Sequence, residues 1–194
     1  MIPRVFAEFG KTLSALERTF ESVLEVGALP DERSLLLLPA LTTARERVGI
    51  NLSEEGEVSG ARILRGDARA LPFPDGAFDL VLSSSTLEHI PDFWRACSEM
   101  KRVLGPGSVL IVCMPGYVRS TPLLSRLQRL TRGFSGLQEF RRLTLTFGVH
   151  DHPHDYYRFS EEAIRTVVLE GLGNVVVWSV LTPPRVFGLG IKAG

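Results

Sequence analysis

Short apolar runs, each closed by glycine, proline or a polar residue, recur along this chain and restrict its fold more than any other feature. SVLEV (22–26), RVGINL (47–52), RIL (62–64), FDLVLS (78–83) and SVLIVCM (108–114) are mostly apolar on consecutive positions. Such runs are strands of a parallel sheet that is covered on both faces. Helical periodicity lies around them. Ile2, Val5, Phe6, Phe9, Leu13, Leu16 and Phe20 form the apolar stripe of an N-terminal helix within 1–21. Pro91 followed by Phe93, Trp94, Cys97, Met100 and Leu104 predicts a second helix, stopped by Gly105 to Gly107. Ser160 caps a third that runs to Leu169, with Glu161 and Glu162 suiting the dipole in its first turn. Residues 31–47 are mostly helix formers, kinked or divided at Pro39. SEEGEVSG (53–60) is too short for a crossover helix, and so is LTPPR between the runs Val175 to Val180 and Val186 to Ile191, which must pair antiparallel. The expected architecture is a three-layer α/β sandwich on a mostly parallel seven-stranded sheet with an antiparallel last strand.

Composition narrows the function classes. The chain has 194 residues, 44% hydrophobic and 23% charged, which suits one globular domain over 1–194 and excludes a disordered or collagen-like chain. Twenty-two basic residues balance twenty-two acidic ones, so no global field draws nucleic acid. Cys97 and Cys113 lack CxxC spacing and read as small core residues of a reducing compartment. No apolar run approaches the ~20 residues of a membrane span, no signal-peptide pattern is visible, and a cytoplasmic location is expected. The irregular stretch of about 115–158 reads as a lid-like insertion. It holds Arg119, Arg126, Arg129, Arg132, Arg141 and Arg142 against Glu139, with Leu123, Leu124, Leu127 and Leu130 at helical spacing. Those arginines either stay in solvent beside a buried leucine face or, across a closed lid, favour an acidic small molecule.

In a doubly wound sheet, ligands bind beyond the carboxyl ends of the strands. Those ends carry Glu25 and Gly27, then Asn51, then Asp67 and Ala68, then Ser83, Ser84 and Ser85. A carboxylate such as Asp67 can accept from the exocyclic amine of adenine, and Asn51 can hydrogen-bond a ribose hydroxyl. Each alone is ordinary turn chemistry. Absence of GxGxxG after the first strand disfavours a nicotinamide dehydrogenase. HDHPHDYYRF gathers His150, His152 and His154 beside Asp151 and Asp155. Alternate histidines of an extended segment share a face and could converge on zinc, yet the order is not HxHxDH, and no metal is expected. A histidine there could equally take a proton, while Asp155 and Arg158 could pair to anchor the segment.

LEVG, GINLS, GDARALPFPDGAFDLVLSSSTLEHIPD, RVLGPGSVLIVCMP and HDYYRFS, in this order and spacing, resemble class I SAM-dependent methyltransferases. The resemblance covers roughly Val23 to Lys192 and is nearest a compact subgroup of the type 11 methyltransferase domain. It implies a Rossmann-like sandwich and S-adenosylmethionine as cofactor. Glu25 and Gly27 would lie at its methionine end, Asn51 at the ribose, Asp67 and Ala68 at the adenine, and Ser83 to Ser85 beneath the sulfonium. His150, His154, Asp155 and Tyr156 are the candidate catalytic residues. The implied reaction is methyl transfer to a small-molecule or glycan-like acceptor, with a homodimer left open as an arrangement. Two departures stand out. Gly27 is followed by Ala28, Leu29 and Pro30 in place of further glycines, and Asn51 stands where the family usually has an acid. The alternative is a catalytically inactive scaffold that binds a partner and no longer binds SAM.

Overall fold

A computed structural model of the chain describes residues 3–117, 154–181 and 184–194. Its elements in chain order are α1 (Pro3–Ala15), β1 (Ser22–Val26), β2 (Glu46–Asn51), β3 (Gly56–Val58), β4 (Ala61–Arg65), β5 (Phe78–Ser84), α2 (Phe93–Val103), β6 (Leu104–Pro115), α3, β7 (Gly173–Leu181) and β8 (Pro184–Ile191). Helix α3 starts at Glu161–Ala163 and runs on into a π-helical turn at Ile164–Val168. Among the described residues the strands form one eight-stranded sheet in the order β3-β4-β2-β1-β5-β6-β8-β7. Strands β4, β2, β1, β5 and β6 are mutually parallel, and β8 runs antiparallel to both β6 and β7.

Alternation along the central strands builds the layers. Leu24, Val26, Val81, Leu110 and Val112 face α2 and α3 in one buried cluster. Val23, Leu80, Leu82, Ile111 and Cys113 face α1 in a second cluster on the opposite side of the sheet. Here α1 contributes Val5, Phe9 and Leu13, all buried, so its apolar stripe does cover the body. The helix stops at Ala15, short of the expected 21, because Glu17 takes a left-handed φ of 49° beyond it.

Three local expectations change. The eighth strand lies inside SEEGEVSG: β3 pairs antiparallel with β4, Val58 opposite Ala61. Ser59 and Gly60 join them with φ of 48° and 77°, and two left-handed residues make the tight turn whose twist suits a hairpin. The stretch 31–47 forms no regular helix but two 3-10 turns, Leu35–Leu37 and Pro39–Leu41, with Pro39 opening the second. Leu35, Leu36, Leu38 and Leu41 are all buried, so the apolar residues leave no wet face for a helix. Finally, α2 ends at Val103 and Leu104 is already extended, so β6 takes in Gly105 to Gly107. The expected final hairpin is present, β8 lying inside the sheet and β7 at its edge.

Candidate functional site

Parallel register sets the strand ends in a row. Val26 lies beside Ile50 on one side and Ser83 on the other, Asn51 beside Arg65, and Ser84 beside Cys113. Because β8 runs the other way, its first residues join the same edge, with Arg185 opposite Pro115.

At the centre of that row the chain leaves β1 through Gly27 at φ 88°, and a Cβ there would sit 1.9 Å from Thr86 Oγ1. Only glycine serves at such a position. Thr86 Oγ1 lies 3.2 Å from the Val26 carbonyl and 3.1 Å from that of Ser84, tying β1 to the turn after β5. Backbone N–H groups of Gly27 and Ala28 both donate to the Ile50 carbonyl, at 2.8 and 3.1 Å. The Ala28 side chain is fully buried in the α1-side core, in the space a Cβ on Gly49 would need. Leu29 and Pro30 remain half-buried. Glu25 points into the body: its Oε2 accepts from Ser34 Oγ at 2.6 Å and from the Leu36 N–H at 3.3 Å. Burial pushes its carboxyl up to about 7.

Asn51 Nδ2 donates to the Ala28 carbonyl at 2.7 Å, and its Oδ1 accepts from the N–H groups of Ser53 and Glu54 at 3.0 and 3.1 Å. One amide thus pins both neighbouring loops. Asp67 accepts from the Arg69 backbone N–H at 2.8 Å and from its guanidinium at 2.6 Å, and Arg69 reaches on to Asp92 at 3.1 Å. That guanidinium holds the Asp67 carboxyl below its ordinary range, while 35% of the side chain stays exposed. Ala68 is buried under α2. Ser83 Oγ donates to the Val26 carbonyl at 3.0 Å, Ser84 is buried, and Ser85 adopts φ 52° with its N–H on the Cys113 carbonyl.

The segment after residue 153 closes onto the same edge. The Tyr156 N–H donates to the Glu88 carbonyl at 2.8 Å, the Phe159 N–H to that of Pro115 at 2.9 Å, and His89 Nδ1 to that of His154 at 3.2 Å. Asp155 and Arg158 form a doubly hydrogen-bonded pair at 2.5 Å, the anchoring arrangement weighed from the sequence. His154, at φ 71°, has its Nδ1 3.0 Å from the Tyr156 hydroxyl, and the two rings stack. His150 and His152 lie outside the described residues, as do the six arginines of the insertion. Beneath this segment, Glu88 and Arg185 are buried and face each other at 4.0 Å. Burial pushes the Glu88 carboxyl up to about 7. Sequence reasoning passed over Arg69, Thr86 and Arg185. The first two stand inside the quoted motif, but Arg185 reaches the site only because β8 pairs with β6.

Residues 24–112, which run from within β1 to within β6, match the family model described as a methyltransferase domain. These residues form a class I methyltransferase domain. Relatives agree over the same half of the chain. An uncharacterized methyltransferase of Mycobacterium sp. (strain JLS) is 35% identical over 98 residues, 50% of this chain and 38% of that protein. The demethylmenaquinone methyltransferase of Staphylococcus aureus (strain MRSA252) is 30% identical over 106 residues, 50% of this chain and 44% of the relative. The chain thus spans about two fifths of the length of the curated relatives it matches. In fold, the chain is similar to Haemonchus contortus phosphoethanolamine N-methyltransferase 2, solved with phosphomonomethylethanolamine and S-adenosylhomocysteine. The TM-score is 0.62 at 14% identity, over 96% of this chain and 53% of that one.

Proposed function

We propose that the methyltransferase domain binds S-adenosylmethionine at the carboxyl ends of β1, β2, β4 and β5 and serves methyl transfer to a small-molecule acceptor. The observation that carries this reading is the row of strand ends itself: the residues matched by the family model end side by side in Gly27, Asn51, Asp67 and Ser83. The donor set fits the cofactor. Asp67 offers a partly exposed carboxylate, shared with Arg69, to an exocyclic amine, and the turn from Ser83 to Thr86 stands at the centre of the row. Ala28, the first bulky replacement in the glycine loop, turns into the core and leaves the cleft free of its side chain.

When bound, the sulfonium supplies an already activated methyl group. The chain's own task is then orientation and exclusion of water, and alignment of that kind is worth ~7 to 11 kcal/mol. Asn51 and Thr86 hold the β1 loop in one position, so little ordering remains for the moment of binding. Arg69 has to share Asp67 with the adenine amine. His154 and Tyr156, joined by a hydrogen bond, stand on the acceptor side, where a histidine can take a proton from an amine or hydroxyl. Asp155, paired with Arg158, keeps that segment in place; His150 belongs with the same candidates.

Calorimetric titration with S-adenosylhomocysteine tests the reading. Micromolar binding is expected, lost in Asp67→Ala. No heat at millimolar ligand, or an Asp67→Ala protein that binds as well as the parent, would overturn it.

A further inference from the structure

Glu88 and Arg185 lie at the same edge as Ser83 to Ser85 and are 1% and 7% exposed. Their nearest approach, Arg185 Nη1 to Glu88 Oε1, is 4.0 Å, beyond hydrogen-bond distance. Among the described residues, Glu88 Oε2, Arg185 Nε and Arg185 Nη1 are buried without a hydrogen-bond partner. A buried guanidinium and carboxyl within ion-pair range but with hydrogen bonds unmade are costly, and native interiors rarely tolerate them unless something else completes the bonds. Among the described residues, Asp155 and Arg158 hydrogen-bond each other, His89 Nε2 lies 4.0 Å from Glu88 Oε1, and the Tyr156 N–H donates to the Glu88 backbone carbonyl.

Charge decides what chemistry fits between them. With Glu88 ionised, the two side chains sum to zero, so an anion attracted by Arg185 is repelled at similar distance by Glu88, and an ammonium meets the reverse. A neutral group that both donates and accepts satisfies both: its proton faces Glu88 Oε2 and its lone pairs face the Arg185 N–H groups. A hydroxyl is the smallest such group.

We propose that Glu88 and Arg185 together hold a hydroxyl group of the methyl acceptor, which is therefore an alcohol, a sugar or a phenol. The assignment rests on the methyl-transfer reading above and deepens it. A hydroxyl held there points its proton at a carboxylate whose affinity for protons lies near neutrality, while the guanidinium stabilises charge growing on the oxygen.

The test uses the full chain saturated with S-adenosylhomocysteine and ligand-observed NMR with four probes: phenol, methyl α-glucoside, methylphosphonate and methylammonium. A hydroxyl probe is expected to bind, with affinity about tenfold lower in Arg185→Met and in Glu88→Leu. If Arg185→Met fails to fold, Arg185→Lys retains the charge but loses Nε and is expected to weaken the same probe about fivefold. Binding of methylphosphonate or methylammonium that depends on these residues, no binding by either hydroxyl probe, or hydroxyl binding indifferent to both substitutions would overturn the proposal. The reading of the cofactor site fails separately. If S-adenosylhomocysteine gives no heat while a hydroxyl probe still binds the unsaturated protein through Arg185, that reading falls and the subsite stands.

Discussion

The two halves of the carboxyl edge differ in how their polar groups are satisfied. Over β1, β2 and β4, Glu25, Asn51 and Asp67 each have partners within the chain: a serine hydroxyl, two loop backbones and an arginine. Over β5, β6 and β8, buried atoms of Glu88 and Arg185 have none among the described residues. The first half is thus organised by its own hydrogen bonds, and a cofactor would meet a surface already set. The second half keeps buried polar atoms that the proposed acceptor hydroxyl would complete.

Four measurements bear on that contrast. The largest effect is expected at Gly27. Gly27→Ala forces a Cβ against Thr86 at a positive φ and should lower stability by about 3 kcal/mol in urea titrations, with loss of S-adenosylhomocysteine binding. Adding Thr86→Ser removes one of the three clashing atoms, and partial recovery would show how much of the loss is steric.

Next comes the pH response. Glu25 rises from an ordinary 4.5 to about 7 on folding, so its stabilising contribution is whole below pH 4.5 and drains away as pH climbs through 7. Between pH 5 and 8 this costs the parent at most about 3 kcal/mol, and Glu25→Gln should remove its share of the slope in parallel denaturation curves. A parent and variant with equal slopes would show that Glu25 stays ionised.

Asn51→Ala, which frees two loops at once, is expected to cost about 2 kcal/mol and to weaken S-adenosylhomocysteine about tenfold by calorimetry. Unchanged affinity would mean that the loops need no such pinning. The smallest effect belongs to Arg69. Its pair with Asp67 is more than a third exposed on both sides, so Arg69→Gln should shift stability by less than about 0.5 kcal/mol. The same substitution frees the Asp67 carboxylate, and affinity for the cofactor product should rise a few-fold; a fall would show that Arg69 is itself a binding residue.

Much of this arrangement is legible in the residues. Apolar runs such as SVLIVCM have one stable use in a chain of this size, and LTPPR is too short for anything but a hairpin. The β3–β4 hairpin was legible too, since Ser59-Gly60 is a turn pair, but a three-residue strand of Gly56, Glu57 and Val58 carries too little pattern to be noticed. The stretch 31–47 departs from its helix formers because helix propensity is a weak preference: Leu35, Leu36, Leu38 and Leu41 all reach the core, which no single face of a regular helix could do.

By itself, then, the sequence determined which segments become strands, which residues stand at their carboxyl ends, and the family to which residues 24–112 are matched. Partners at those ends were decided by tertiary structure. Ser34 comes to Glu25, Ala28 to Asn51, and Arg185 to Glu88 from almost a hundred positions away, because β8 turns back to pair with β6. Periodicity records how far each residue lies from the core, whereas a hydrogen bond or an unpaired charge depends on which strand lies next to which. That order is settled only when the whole sheet closes.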